Sequence, residues 1–501
     1  MNNRKWLIFI AVSFVTTMIN MDATIVNLAL ASIAKDFHAS LGQIQWVVNI
    51  YMLTNIIFII LVGRLSDVFG RRSIYIIGII VFTIASVLAG ISHSLWLLIF
   101  ARALQGVGFA GTLTLGLVIV ANAFPAEQQG LAMGSYMTVA GIAQSMGPFL
   151  GGGIIQAFGW RWIFLINIPL GVLAIISVLM FCRRDFPNRI DTKINWYGFA
   201  LLCCGLSLML LALNEIGNFG LFSWKIWSFF ALGLFFIFVL YCQDKGRDKF
   251  LIKFSLFSNR RYSLLLVIRF LYMYGWLSIL FILPLYLQNI IGYNAFITGS
   301  LLLCMTLVFA FLSPVVGKWI DKIGYIKPVK MAILLSMLSF VLLAQLGVHL
   351  VIPCLVIALV LFGVSAPFMG SASAIGSMSN LPSEHAGLGM GIFYMLAFLG
   401  ASTGVALSGS CMSLISASHF AEIAMRHGLS FSHSQIVQID RMVNGSHSID
   451  AIGTGFSVVQ MKFLSSFIKG SFVHALSIVM YINAALAFVA YLLSLRLDVE
   501  K

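Results

Sequence analysis

Asp22 and Arg102 stand inside apolar runs of this sequence, where a charge is costly. Asp22 lies in "INMDATIVNLAL", residues 19–30, at the end of an apolar stretch that begins near Trp6. Arg102 lies in "RALQGVGFA", residues 102–110, in a stretch that begins near Leu95. One Asp or Arg at the centre of a membrane helix costs about 2.5–3.5 kcal/mol on insertion scales. A buried carboxyl is driven neutral by desolvation and ionised by a neighbouring cation. A conformational change that alters either influence therefore loads or releases a proton. At about 1.5 Å per residue, Asp22 rises roughly 24 Å from Trp6 and Arg102 descends roughly 10 Å from Leu95. In a hydrocarbon core of about 30 Å both fall in the outer half. We expect Asp22 to be the proton-coupling carboxylate and Arg102 its electrostatic partner. The competing expectation is local, with Asp22 bonding a neighbouring helix through Thr24 or Asn27.

A second pattern occurs twice. Residues 63–72 read "GRLSDVFGRR" and residues 317–324 read "GKWIDKIG". Gly63, Asp67 and Gly70 recur as Gly317, Asp321 and Gly324; Arg71 and Arg72 follow the first copy. Glycine allows a tight turn and close helix approach. A carboxylate is favoured near helix N-termini, where partial positive charge collects. Arg71 and Arg72 suit a lipid headgroup or a carboxylate. A third stretch, "GIAQSMGPFLGG", covers residues 141–152. Its Gly141, Gly147, Gly151 and Gly152 admit a close neighbour, and Pro148 removes one helical hydrogen bond.

The elements that hold these residues follow from composition. A chain of 501 residues, 60% hydrophobic and 9% charged, reads as an all-α polytopic membrane protein. Its net charge of +14 sits in clusters between apolar runs, which fits membrane topology and lipid contact rather than nucleic acid. The seven cysteines have no metal-ligand spacing, and no metal is expected. The basic, apolar start lacks a small-residue cleavage site and reads as a first span. Runs of about 20 apolar residues give fourteen candidate spans: 6–30, 43–63, 73–92, 95–122, 131–157, 162–182, 196–214, 225–243, 263–288, 295–319, 329–349, 351–377, 386–411 and 471–495. Runs of this length are helices, not barrel strands. Lys and Arg concentrate on the side shared with the N-terminus, among them Arg64, Arg71, Arg72, Arg183, Arg184, Lys245, Arg260 and Arg261. That asymmetry expects both termini in the cytoplasm.

The repeated aspartate motif implies repeated halves, as in secondary transporters. The expected organisation is a six-span bundle over 1–185, two additional spans with linkers over 186–260, and a second six-span bundle over 261–501. The last contains a long outer loop, 412–470. Asn27, Asn49, Tyr51, Gln105, Gln144 and Tyr286 are polar groups in or near spans and are expected to line a substrate cavity; Arg269, about two turns into the ninth span, either snorkels to the inner interface or lines the cavity for an anionic group. The abundant Phe and Met suit an adaptable, weakly selective pocket.

These stretches together resemble the major facilitator superfamily, and more narrowly the fourteen-span drug:proton antiporters of the EmrB/QacA type. "GRLSDVFGRRSIYIIG" is similar to the loop between spans two and three, "RALQGVGFA" to the fourth-span motif, and "GIAQSMGPFLGG" to the fifth-span antiporter motif. "MDATIVNLAL" resembles the first-span motif of the fourteen-span group, and "GWRWIFLINIPLG", residues 159–171, its fifth-to-sixth-span connection. The resemblance implies two six-helix bundles plus two central spans and drug:proton antiport in the bacterial cytoplasmic (inner) membrane. It also implies a fifth helix that shapes the outer gate. EmrB-type relatives work with a periplasmic membrane-fusion adaptor and an outer-membrane channel, which makes such partners an expectation for the outer loop. One feature departs from the family: no Asp or Glu lies deep in the spans after residue 262, so a carboxylate site for cationic drugs is not expected there.

No GxxxxGK[ST] stretch is present, and no span pairs a nucleophile with a base, so an enzyme is not expected. The expected function is proton-coupled export of small amphipathic or toxic compounds by alternating access, with the proton gradient in place of a cofactor. A dedicated exporter of one metabolite or siderophore is the alternative. A receptor or scaffold fits less well, having no use for costly intramembrane charge.

Overall fold

Fourteen long helices make up most of the chain in the computed structural model, which describes residues 2–39, 41–182, 195–220, 223–245, 250–293, 295–426 and 458–497. They are α1 (Asn2–Asp36), α2 (Leu41–Phe69), α3 (Arg71–Gly90), α4 (Leu95–Ala123), α5 (Gln129–Phe158), α6 (Trp162–Phe181), α7 (Trp196–Phe219), α8 (Trp224–Asp244), α9 (Arg260–Leu285), α10 (Ala295–Ile323), α11 (Ile326–Leu343), α12 (Ile352–Ser379), α13 (Ala386–Arg426) and α14 (Val458–Leu495). Among the described residues there is no strand.

Thirteen of these are long and apolar enough to cross a membrane. The remaining one, α5, is 30 residues long and carries no charged residue. Glycine, serine and glutamine dilute its apolar character, and it packs against α1 and α10.

The halves α1–α6 and α9–α14 meet along two helix pairs, α2 with α13 and α5 with α10. The added pair α7–α8 packs together and leans on α2 and α13, at one of these seams. One apolar core runs from α1–α4 into α7 and α8, and a second fills the half built from α9–α14. Helix α6 is interrupted at Ile166, so Asn167 opens its second segment.

Two of the helices overrun the expected spans by more than ten residues. α13 continues to Arg426 and α14 begins at Val458, so residues 412–426 and 458–470 are helical rather than loop. Polarity ends the apolar run there without ending the helix. Arg426 pairs with Glu422 one turn earlier, at 2.6 Å. The α13 extension is tied to α14 by the His419 ring, which stacks on His474 at 4.1 Å and meets Ser471 Oγ at 3.1 Å. The rest of the expected outer loop, 427–457, lies outside the described residues, as do most of the expected linker residues 183–194.

Candidate functional site

Asp22 and Arg102 meet. Arg102 Nη1 donates to Asp22 Oδ2 at 2.7 Å, with both residues essentially unexposed. Asn167 Nδ2 donates to Asp22 Oδ1 at 2.9 Å, and Gln105 Nε2 approaches the same oxygen at 3.3 Å. Gln105 and Asn167 also share Ser86 Oγ, at 2.8 and 3.3 Å. The guanidinium is held from every side: Nε donates to Val47 O at 3.1 Å, Nη1 to Gln105 Oε1 at 2.9 Å, and the Tyr51 ring lies 4.0 Å away. Five helices, α1, α2, α3, α4 and α6, therefore contribute to one charge cluster. Removing either partner of such a pair leaves an uncompensated buried charge, at a cost of roughly 3–5 kcal/mol.

This cluster corrects two expectations. Tyr51 and Gln105 are fully buried against Arg102 and Asp22, not at a substrate cavity. Their aromatic face and amide are spent on stabilising the charges. Tyr286 is corrected as well: it is buried at the far end of α9 in a π-helical turn, and its hydroxyl donates to Gly347 O at 2.7 Å. The side chain of Asn27 lies outside the described residues. Thr24, expected as a possible partner of Asp22, bonds α5 instead.

That Thr24 bond explains the glycine–proline stretch of α5. Pro148 has no N–H to give the carbonyl of Gln144, and Thr24 Oγ1 of α1 donates to that carbonyl at 3.1 Å. Gly147 makes the approach possible, since a Cβ there would collide with Thr24 Oγ1 and lie 3.0 Å from Met21 O. Gln144 Nε2 adds a bond to Asn20 Oδ1 at 2.9 Å. Gly141 faces the Phe309 ring of α10, Gly151 is buried, and Gly152 faces open space. The side chain of Pro148 is outside the described residues. Helix α5 is thus fastened to α1 within one turn of Asp22.

The repeated aspartates act in parallel at one end of the bundle. Asp67, at the end of α2, accepts from Gly387 N at 3.0 Å and Leu388 N at 2.9 Å, in the first turn of α13. Asp321, at the end of α10, accepts from Gly130 N at 2.6 Å and Leu131 N at 3.0 Å, in the first turn of α5. Each carboxylate satisfies orphan amides and the positive end of a helix belonging to the other half. The glycines permit contact: a Cβ on Gly63 would lie 2.5 Å from Gly387 O, and one on Gly317 would strike Gly130 O. Gly70 and Gly324 hold φ of 91° and 74°, the left-handed turn that separates each motif from the next helix. Arg71 and Arg64 add favourable charge near Asp67, and Arg72 donates to Leu179 O at 2.8 Å.

The receiving glycines were missed in the sequence, although a signal exists. "GLAMG" at 130–134 and "GLGMG" at 387–391 are the complementary repeat, one copy in each half. Ser86 and Asn167 were also missed; Asn167 stands inside "GWRWIFLINIPLG". In the same stretch Arg161 Nη1 and Trp160 Nε1 bond Asp36 Oδ2 at 2.9 and 3.1 Å. The Arg161 contact, reinforced by Trp160, holds the Asp36 carboxyl below its usual range.

Away from the aspartate motifs, a cavity of about 640 Å³ opens between α2, α7, α9 and α13. Asn49 lines it, with Met52, Leu213, Met273 and Phe398 among the apolar walls. Its lining includes no charged residue. This volume falls in the range of small-molecule sites. Of the residues expected at a cavity, Asn49 is on its wall and Arg269 lies one helical turn from Met273.

Two bundled halves that lock through paired carboxylates at one end and enclose a cavity toward the other define a polytopic membrane transporter fold. Residues 12–405 match the model of the Major Facilitator Superfamily. The chain is 31% identical over 391 residues to the riboflavin transporter RibZ of Clostridioides difficile, covering 77% of this chain and 83% of that one. It is 28% identical over 418 residues to the multidrug resistance protein Stp of Mycobacterium tuberculosis, covering 82% and 77%. The crystal structure of the human organic anion transporter MFSD10 (TETRAN) has the same fold, with a TM-score of 0.61 at 14% identity over 96% of this chain and 99% of that one. The chain belongs to the Major Facilitator Superfamily, and its relatives include the superfamily's drug transporters.

Proposed function

We propose that this transporter is a proton-coupled exporter of small amphipathic compounds, working by alternating access in a bacterial cytoplasmic membrane. The observation that carries the reading is the buried Asp22–Arg102 pair, whose carboxylate is held by three side-chain donors from two further helices. Protonating Asp22 would release Arg102 and free α1, α4 and α6 to shift relative to one another. Because α1 is fastened to α5 next to this carboxylate, that shift would reach the α5–α10 seam. The aspartate-motif end is assigned to the cytoplasm, together with both termini, on the distribution of Lys and Arg. The arrangement is then cytoplasm-closed, held by Asp67 and Asp321. The driving force would be the proton gradient, with one charge crossing 100 mV supplying about 2.3 kcal/mol.

A second reading is a dedicated exporter of one metabolite or siderophore; the similarity to a riboflavin transporter favours a single dedicated substrate and leaves the direction to the assay. Accumulation of a compound library in cells with and without the protein separates the two. Several unrelated compounds should be excluded, and a protonophore should abolish the exclusion. Exclusion of one compound alone would select the dedicated reading, and protonophore-insensitive exclusion would contradict proton coupling. Docking of a periplasmic adaptor and outer-membrane channel on the segment between α13 and α14 remains part of the proposal. It is tested by comparing efflux from whole cells with transport in vesicles after deletion of residues 430–455.

A further inference from the structure

Arg269 is another intramembrane cation, and unlike Arg102 it pairs with no carboxylate among the described residues. Its guanidinium lies 5.4 Å from the Phe393 ring, and its remaining electrostatic neighbours are the hydroxyls of Tyr394 and Tyr272. Among the described residues its buried Nε has no acceptor, and the buried Tyr394 hydroxyl has no partner. Tyr272 is already occupied by Ser365 Oγ at 2.7 Å. The residue is half-buried, so part of it reaches open space. A permanently charged guanidinium left unneutralised inside a membrane helix is costly, and such residues mark substrate pathways. It stands nine residues beyond Arg260, roughly 14 Å along α9. One turn further along α9 and α13, Met273 and Phe398 line the apolar cavity, followed by Leu277 and Phe281.

We propose that Arg269 and Tyr394 form an anion receptor at the inner end of this cavity, and that the compound carried is an amphipathic organic anion. Its acidic group bonds the Arg269 guanidinium and the Tyr394 hydroxyl, and its apolar body lies among Met273, Leu277, Phe281 and Phe398. The word "carried" rests on the exporter reading; the binding site does not.

Two probes that share a ring system test this: 8-anilinonaphthalene-1-sulfonate and the uncharged N-phenyl-1-naphthylamine. Binding to the purified full chain in nonionic detergent is measured by equilibrium dialysis. Arg269→Gln should weaken the sulfonate about tenfold or more, the loss of one charge-assisted contact, and leave the uncharged probe within about twofold. Arg269→Lys should keep part of the sulfonate affinity, and Tyr394→Phe should lose a smaller part without touching the uncharged probe. Leu277→Trp, which fills the apolar space, should weaken both. The proposal is overturned if the wild type binds no sulfonate saturably, or if Arg269→Gln and Tyr394→Phe shift both probes equally or neither. No gradient is present, so failure here leaves proton coupling standing, and failure of gradient-driven export leaves this site standing.

Discussion

Asp67 accepts two hydrogen bonds from the first turn of α13, beginning with Gly387 N at 3.0 Å, and so fixes one half of the protein to the other. Asp321 repeats the arrangement on α5. The same end of the bundle is therefore closed twice, by two carboxylates that each neutralise the positive terminus of a foreign helix. Neither bond can survive separation of the halves, so both report the state of this end.

Weakening these contacts should open that end. Asp67→Asn keeps the shape but loses the charge that favours the α13 terminus, worth about 1–2 kcal/mol in a partly buried setting. Spin labels at the exposed positions 69 and 384 should then show a longer distance population by double electron–electron resonance. The double variant with Asp321→Asn should show more of it. An unchanged distance distribution in the double variant would contradict the locking role.

Gly147 and Thr24 should behave as a coupled pair. Gly147→Ala places a methyl against Thr24 Oγ1 and should lower transport about tenfold without preventing membrane insertion, since overpacking a tight contact costs roughly 1–3 kcal/mol. Thr24→Ala removes the obstructing oxygen and should restore part of the loss in the double variant. Gly152→Ala, which meets nothing within 4 Å, should transport normally. Strict additivity of the Gly147 and Thr24 effects would show that the contact does not constrain the helices.

His385 gives the closed end a pH dependence. It is buried between α12 and α13, with Nε2 at 2.8 Å from Lys253 Nζ, and Glu384 and Arg64 are the other charges nearby. Burial first, then the Lys253 charge, lowers its pKa below the ordinary 6.5, although Glu384 acts in the opposite direction. The folded state thus favours the neutral ring, and the unfolded chain takes up the proton first. The stabilisation is complete above about pH 6.5 and is lost as pH falls below it. The thermal unfolding midpoint of the purified protein should drop more steeply below that pH in the wild type than in His385→Gln. Parallel curves would remove His385 from the account.

Sequence made the all-helical membrane fold, the aspartate repeat and the Asp22–Arg102 pair legible, because long apolar runs, charge in hydrocarbon and a repeated motif are strong local signals. The roles of Tyr51 and Gln105 were not legible, since polarity marks a residue as needing a partner without saying which partner. The overrun of α13 past residue 411 was hidden because hydropathy reports lipid contact, not helicity. The cavity wall contributed by α7 depends on how an inserted helix pair leans on α2 and α13, a tertiary fact with no pattern in the chain.

The central claim is that Asp22 carries the coupled proton, and Asp22→Asn tests it most directly. The amide preserves size and some hydrogen bonding but cannot titrate, and it leaves Arg102 without its counter-charge. The measurement is export of a transported compound by reconstituted proteoliposomes under an imposed pH gradient. The account predicts that the variant inserts, still exchanges the compound down its own gradient, and no longer responds to the pH gradient. Pumping against a concentration gradient by Asp22→Asn, with the wild-type pH dependence, would contradict it.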